Sequence, residues 1–194
     1  MPDLLMPRLP RVPVAHAASH APDGVDPLIA TAQIIARSPT PVTVANSTAE
    51  TNLFSQTLTN ATSNTIYRFT ASGDWLNNSG SAVTYRWRLY LGASNLLLDS
   101  GTLSLASSAT TGHWNMEGFL YITTTSTQRL SASLVMPPPG GASWQTTSLA
   151  SISGNAIGTV DMTTHPNLIF SVQLGTAAST SSCSSQAYFI EKIA

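Results

Sequence analysis

From residue 42 onward, apolar side chains recur at every second position, the period of a strand with one buried face. The clearest run is 83–91, where Val83, Tyr85, Trp87, Leu89 and Leu91 alternate with Thr84, Arg86, Arg88 and Tyr90. Leu168, Phe170, Val172 and Leu174 alternate with Ile169, Ser171 and Gln173, and Leu130, Ala132, Leu134 and Met136 repeat the pattern. Further strands are predicted over 51–59, 65–72, 95–105, 113–124, 155–162 and 186–193. Turn formers stand between them: Gly73-Asp74, Asn78-Ser79-Gly80, Gly92-Ala93-Ser94-Asn95, and residues 124–127, 137–141 and 175–182. No amphipathic helix of useful length separates the strands, so the pattern predicts an all-β antiparallel sandwich or barrel. About eight strands over this length favour a jelly roll over the seven-stranded immunoglobulin plan, whose disulfide pair a chain with one cysteine cannot form.

Residues 1–41 follow no such period. Pro2, Pro7, Pro10, Pro13, Pro22, Pro27, Pro39 and Pro41 are joined by Ala, Val, Leu and His. Each proline fixes its own φ and biases its predecessor toward extended geometry, which predicts an extended arm over 1–41 ahead of a jelly-roll domain over 42–194. Within the arm, residues 26–37 have the makings of a helical turn or two, with Pro27 at the first helical position and Leu28, Ile29, Ile34 and Ile35 as apolar contacts. Pro7, Pro10, Pro13 and those four apolar residues are the arm's candidate contacts with a neighbouring subunit. A free tail is the competing reading of such a composition.

Charge sharpens the picture. Asp, Glu, Lys and Arg make up 9% of the chain, against ~25% in an ordinary soluble domain. The one lysine is Lys192, and the net charge is -1 at pH 7. The outward strand positions are instead Ser, Thr and Asn, neutral groups that suit burial against neighbours better than isolation in solution. The composition therefore points to a repeated part of an assembly. Arg86 and Arg88, on the polar side of their strand, are candidate interface hydrogen-bond donors, since Arg tolerates interfaces better than Lys. No run approaches the ~20 apolar residues of a membrane-spanning helix, and no membrane is expected as a partner. Prolines at 2, 7, 10 and 13 interrupt the place of a signal-peptide core, so secretion by that route is not expected. Three stretches, beginning at Asn46, Asn60 and Asn77, match the glycosylation pattern, but matches of this kind are common where Ser and Thr abound.

Certain motifs carry a resemblance. Asn46-Ser47-Thr48-Ala49-Glu50-Thr51 leading into Leu53-Phe54-Ser55, then 73–80, then Arg88-Leu89-Tyr90-Leu91-Gly92, then Val172-Gln173-Leu174-Gly175 before a Ser/Thr/Ala run resemble accessory structural proteins of tailed bacteriophage virions. That resemblance implies a small jelly-roll domain, commonly trimeric, that decorates or cements a capsid or belongs to a tail or fibre. Its expected partners are the major capsid protein or other virion subunits and further copies of itself. The expected location is the virion, assembled in the host cytoplasm.

Chemistry is sparse. Asp161 and His165 with a serine are the raw material of a hydrolase triad, but no nucleophile-elbow glycines surround a serine, and His165 precedes Pro166. His113 and Glu117 are too far apart on a strand to share one ion; Asp74 or Asp99 as a Ca²⁺ ligand competes with ordinary turn chemistry. Arg8, Arg11 and Arg37 are balanced by Asp3, Asp23 and Asp26, which speaks against direct nucleic-acid binding through the arm. No catalysis and no cofactor are expected. The competing function is a carbohydrate-binding module, with Trp75 and Trp144 as glycan contacts and Tyr90 and Tyr121 on outward faces. Cys183, alone in a neutral stretch, reads as an inert structural thiol.

Overall fold

The structure, a computed structural model, describes residues 32–136 and 150–193. Pro7, Pro10, Pro13, Leu28, Ile29 and Trp144 lie outside the described residues. Within them are twelve strands and no helix: β1 (Gln33–Ser38), β2 (Val42–Ala45), β3 (Thr51–Thr57), β4 (Thr65–Asn77), β5 (Val83–Leu91), β6 (Asn95–Asp99), β7 (Leu103–Leu105), β8 (Ser108–Thr124), β9 (Thr127–Met136), β10 (Ala150–Gly158), β11 (Asn167–Leu174) and β12 (Ser181–Lys192).

These form the all-β antiparallel jelly-roll sandwich that the period-two pattern predicts. One sheet has seven strands in the order β1-β12-β4-β8-β9-β10, with β2 also on β12; the other has five in the order β3-β11-β5-β6, with β7 also on β5. The alternation at 83–91 sorts as expected. Val83, Tyr85, Trp87, Leu89 and Leu91 are buried, and they face Leu168, Phe170, Val172 and Leu174 from the neighbouring β11. Opposite them the seven-stranded sheet contributes Tyr67, Phe69, Trp114, Met116, Leu120, Leu130 and Leu134. Aromatic rings join the layers: Trp114 meets Phe170 at 5.4 Å between ring centroids, Phe54 stacks on Tyr188 at 4.8 Å, and Trp75 meets Tyr85 edge-on at 6.3 Å. Such pairs contribute ~0.5–1.5 kcal/mol each beyond the area they bury.

The strand count exceeds the expected eight or so because two segments outside the predicted strands, β1 and β2, also pair and the predicted 95–105 strand is divided in two. Residues 33–37, read as part of a helical segment, are a strand instead. β1 pairs antiparallel with β12 from Gln33 opposite Lys192 to Ser38 opposite Tyr188. An isolated helix this short is marginal in water, whereas an existing sheet edge offers β1 a full set of hydrogen-bond partners. The compact unit accordingly begins at Ala32, where the proline pattern alone had drawn the arm on to residue 41. Ile35 packs against the core, while Ile34 stays exposed opposite Glu191.

A second correction concerns Gly73-Asp74, read as a turn. β4 runs straight through it for 13 residues. A Cβ on Gly73 would lie 1.9 Å from the Ser184 carbonyl oxygen and 2.5 Å from the Trp114 ring, so the glycine is there for close approach rather than for reversal of the chain. Gly112 plays the same part in β8, where a Cβ would fall 2.3 Å from the Trp75 indole. The predicted strand at 95–105 is divided into β6 and β7 by Gly101, whose φ of 64° any other residue would adopt at a cost.

Candidate functional site

On the outer side of β5 a closed set of charges holds both predicted arginines. Arg86 Nε donates to Asp99 Oδ1 at 2.8 Å, and its Nη2 donates to Asp99 Oδ2. Arg88 Nη1 donates to Glu50 Oε2, with Arg88 Nε 3.7 Å from Asp99. Glu50 also accepts the hydroxyls of Tyr90, at 2.9 Å, and Ser171. The Arg86 hydrogen bond holds the Asp99 carboxyl below its ordinary range, and the same contact raises the Arg86 guanidinium. Two cations and two carboxylates thus neutralise one another within the chain, and this face presents little charge to a partner. Glu50 and Asp99 were not identified as their partners from sequence, although the near-balance of charges required that arginines find carboxylates somewhere.

The outer face of the seven-stranded sheet is different. Between the inward Gly118, Leu120 and Ile122 of β8, Phe119 and Tyr121 point to solvent, each 38% exposed, with ring centroids 6.4 Å apart. Across the register, Phe119 lies between Arg68 of β4 and Ser131 of β9, and Tyr121 lies between Ile66 and Arg129. The adjacent rows run Thr70, Glu117, Ser133 and then Ser72, Asn115, Val135. Arg68 is partnered by Glu191, a largely buried carboxylate on β12. The two exposed rings thus sit in a mixed field: the hydroxyls and amide of Thr70, Ser72, Asn115, Ser131 and Ser133, the apolar Ile66 and Val135, and the charges of Arg68, Glu117 and Arg129. Sequence reasoning placed Tyr121 outward but passed over Phe119, which its alternation with Gly118 and Leu120 would have revealed.

Farther along this sheet, Asp74, His113 and Gln186 meet in a shallow depression of about 290 Å³. His113 Nδ1 is 2.5 Å from Asp74 Oδ1, and Gln186 Nε2 donates to Asp74 Oδ2 at 2.8 Å. Asp74 is therefore bonded across strands, not within a turn. Among the described residues no three His, Cys, Asp or Glu side chains gather as a metal site would require.

Trp75 is 4% exposed and belongs to the core, so its ring is not presented to a glycan. Once Gly73-Asp74 is strand rather than turn, the alternation in β4 carries Trp75 inward with Tyr67, Phe69 and Ala71. Asn77, in a glycosylation pattern, is fully buried and donates through Nδ2 to the Ser81 and Leu105 carbonyls at 2.9 and 2.8 Å.

A larger depression, about 390 Å³, lies at the end of the sandwich where the β5–β6 turn meets the β10–β11 connection. Asp161 and His165 both line it. They do not form the relay of a triad. Asp161 Oδ1 accepts from the Thr163 amide at 2.9 Å and the Thr163 hydroxyl at 2.6 Å, while His165 Nδ1 is 2.8 Å from the Thr164 hydroxyl. The Thr163 contacts hold the Asp161 carboxyl below its usual range. Among the described residues, no serine hydroxyl is hydrogen-bonded to His165.

No protein-family model and no curated protein matches the chain. Among solved structures the chain is similar to the CBM2 module of the Lactobacillus casei BL23 phage J-1 evolved Dit, at 9% identity and a TM-score of 0.29 over 71% of this chain and 67% of that one. It is similar to a chain of infectious bursal disease virus, Gx strain, at 10% identity and a TM-score of 0.33 over 86% of this chain but only 43% of that one. Lectin I from Ulex europaeus, solved with the methyl glycoside of α-L-fucose, matches at 12% identity and a TM-score of 0.28, over 65% and 71% of the two chains. No site residue is carried over from any of them.

Proposed function

We propose that this chain is a non-catalytic structural subunit of a tailed-phage virion, which decorates or cements the capsid and self-associates as a trimer. The observation that carries the reading is the outer face of the seven-stranded sheet, where Phe119 and Tyr121 are exposed side by side. Exposed aromatics and flanking arginines, here Arg68 and Arg129, are residue types enriched at subunit contacts, and such rings are a liability on a solitary soluble domain. The mutual pairing of Arg86, Arg88, Glu50 and Asp99 removes charge from the opposite face, which favours close packing there as well. Residues 1–31 act as the anchor, reaching the capsid or an adjacent subunit with many weak contacts that add through tethering.

Sedimentation at micromolar concentration tests self-association. The intact chain sediments as a trimer, and Phe119→Ser with Tyr121→Ser returns it to monomer without loss of the folded β spectrum. A monomeric intact chain contradicts the reading. The anchor is tested by deleting residues 1–31, not 1–40, because the longer deletion also removes β1. The shortened protein folds but no longer attaches to virions; attachment with undiminished affinity would refute the anchoring role.

A further inference from the structure

The depression between the β5–β6 turn and the β10–β11 connection has three properties of a binding site. Its walls are fixed. The Gly92 amide donates to the Asn167 carbonyl at 2.7 Å, and the space above Gly92 is closed by Val160 and His165, which a Cβ would meet at 3.1 and 3.4 Å. Gln128, fully buried, bonds both the amide and the carbonyl of Val160, and Met162 is buried while its amide donates to the Thr125 carbonyl at 2.8 Å. A loop pinned at successive residues loses little further freedom when a ligand arrives, the general advantage of preorganisation.

Its polar groups are oriented and have capacity to spare. Asp161 Oδ1 is occupied by Thr163, which sets the carboxylate plane, and among the described residues nothing donates to Oδ2. Thr164 takes Nδ1 of His165, leaving Nε2 for another partner. Ser94, Asn95 and Thr159 add hydroxyl and amide groups to the lining.

Its composition selects a class of ligand. No Arg or Lys lines it, and its one carboxylate repels phosphates and acidic sugars. No Phe, Tyr or Trp ring lines it for a flat ligand to stack on, and a single carboxylate with neutral neighbours is a poor cation cage. What remains is a compact neutral molecule rich in hydroxyls, matched to a carboxylate acceptor, an imidazole and several hydroxyl or amide groups. At about 390 Å³ the depression falls at the small end of ligand pockets, ~300–1,000 Å³.

We propose that this depression binds one neutral sugar ring at the end of a glycan, with Asp161 Oδ2 accepting from ring hydroxyls and Ser94, Asn95 and His165 completing the contacts. The site is separate from the aromatic field on the seven-stranded sheet and does not depend on self-association. It also differs from the tryptophan-based glycan contact that the sequence suggested, since Trp75 is in the core.

The test uses the isotopically labelled full chain titrated with a panel of neutral methyl hexosides, methyl N-acetylhexosaminides and one sialoside. At least one neutral glycoside saturates, with amide shifts centred on residues 91–95 and 159–165 and a millimolar or tighter dissociation constant. Asp161→Ala weakens it by about tenfold or more, the loss of a charge-assisted hydrogen-bond acceptor. Because Asp161→Ala also removes a cap from its own turn, Ser94→Trp serves as a second variant: it fills the depression from an exposed turn position and abolishes binding while the thermal midpoint stays unchanged. No saturable neutral glycoside, binding that survives Ser94→Trp, or a sialoside that binds as well as the neutral sugars would each overturn the proposal.

Discussion

Gln128 holds both backbone polar groups of Val160: its Nε2 donates to the Val160 carbonyl at 2.8 Å, and its Oε1 accepts from the Val160 amide at 3.1 Å. A side-chain amide has one donor end and one acceptor end, so it can imitate the strand partner that this loop lacks. Gln128→Leu keeps the volume but orphans both groups. The expected loss is about 2–6 kcal/mol, at ~1–3 kcal/mol for each of the two unsatisfied groups. Urea denaturation at constant m-value measures it, and a change below about 0.5 kcal/mol would show that the clamp is dispensable.

Gly73 and Gly80 separate two reasons for glycine. Gly73→Ala drives a methyl into the Ser184 carbonyl and the Trp114 ring, and neither can retreat inside the sheet, so a loss above about 3 kcal/mol is expected. Gly80 has a φ of 82° and nothing within 4 Å. There Ala meets only backbone strain of roughly 1–2 kcal/mol. Comparing the two denaturation midpoints tests the assignment; equal losses would argue against the close-approach role of Gly73.

Acid should weaken the fold through Asp99. Its folded carboxyl is held below the ordinary aspartate range, chiefly by the Arg86 hydrogen bond. A group depressed on folding contributes stability above its unfolded value, ~3.9, and that contribution disappears as pH falls through the lower folded value. Asp99→Asn should therefore lower stability near neutrality and flatten its dependence on pH below about 4. An unchanged acid slope, measured by denaturant titration through this range, would contradict the pairing.

Cys183 reports on opening of the core. It is fully buried, and burial pushes its thiol up to about 12. The thiolate is the reactive form, so a disulfide reagent at neutral pH should label the native protein only as fast as the sandwich opens, and label it at once in strong denaturant. Rapid native labelling would mean that the seven-stranded sheet breathes at β12.

Much of this architecture is written in local alternation. At Val83–Leu91 every inward and outward position is legible, because one face of β5 meets the core and the other carries the paired arginines. What pairs with those arginines was not legible: Glu50 is 38 residues from Arg88, and only folding brings them together. Gly73-Asp74 was misread because a glycine for close approach and a glycine for a turn look alike locally, and the Trp114 that decides between them comes from β8. Trp75 moved from candidate surface to core by that same error. The depression at Asp161 escaped notice since its walls come from two loops widely separated in sequence, each unremarkable alone.

The pairing of β1 with β12 has a mechanical consequence. The domain's leading strand lies beside its last, in antiparallel register from Gln33 opposite Lys192 to Ser38 opposite Tyr188. Tension arriving at Ala32 along the strand axis loads those backbone bonds together in shear, and β12 passes the load to β4 and then to β8. Stretched by an optical trap from that end, the sandwich should yield in one abrupt rupture; a gradual, low-force peel would show that the leading strand bears no load.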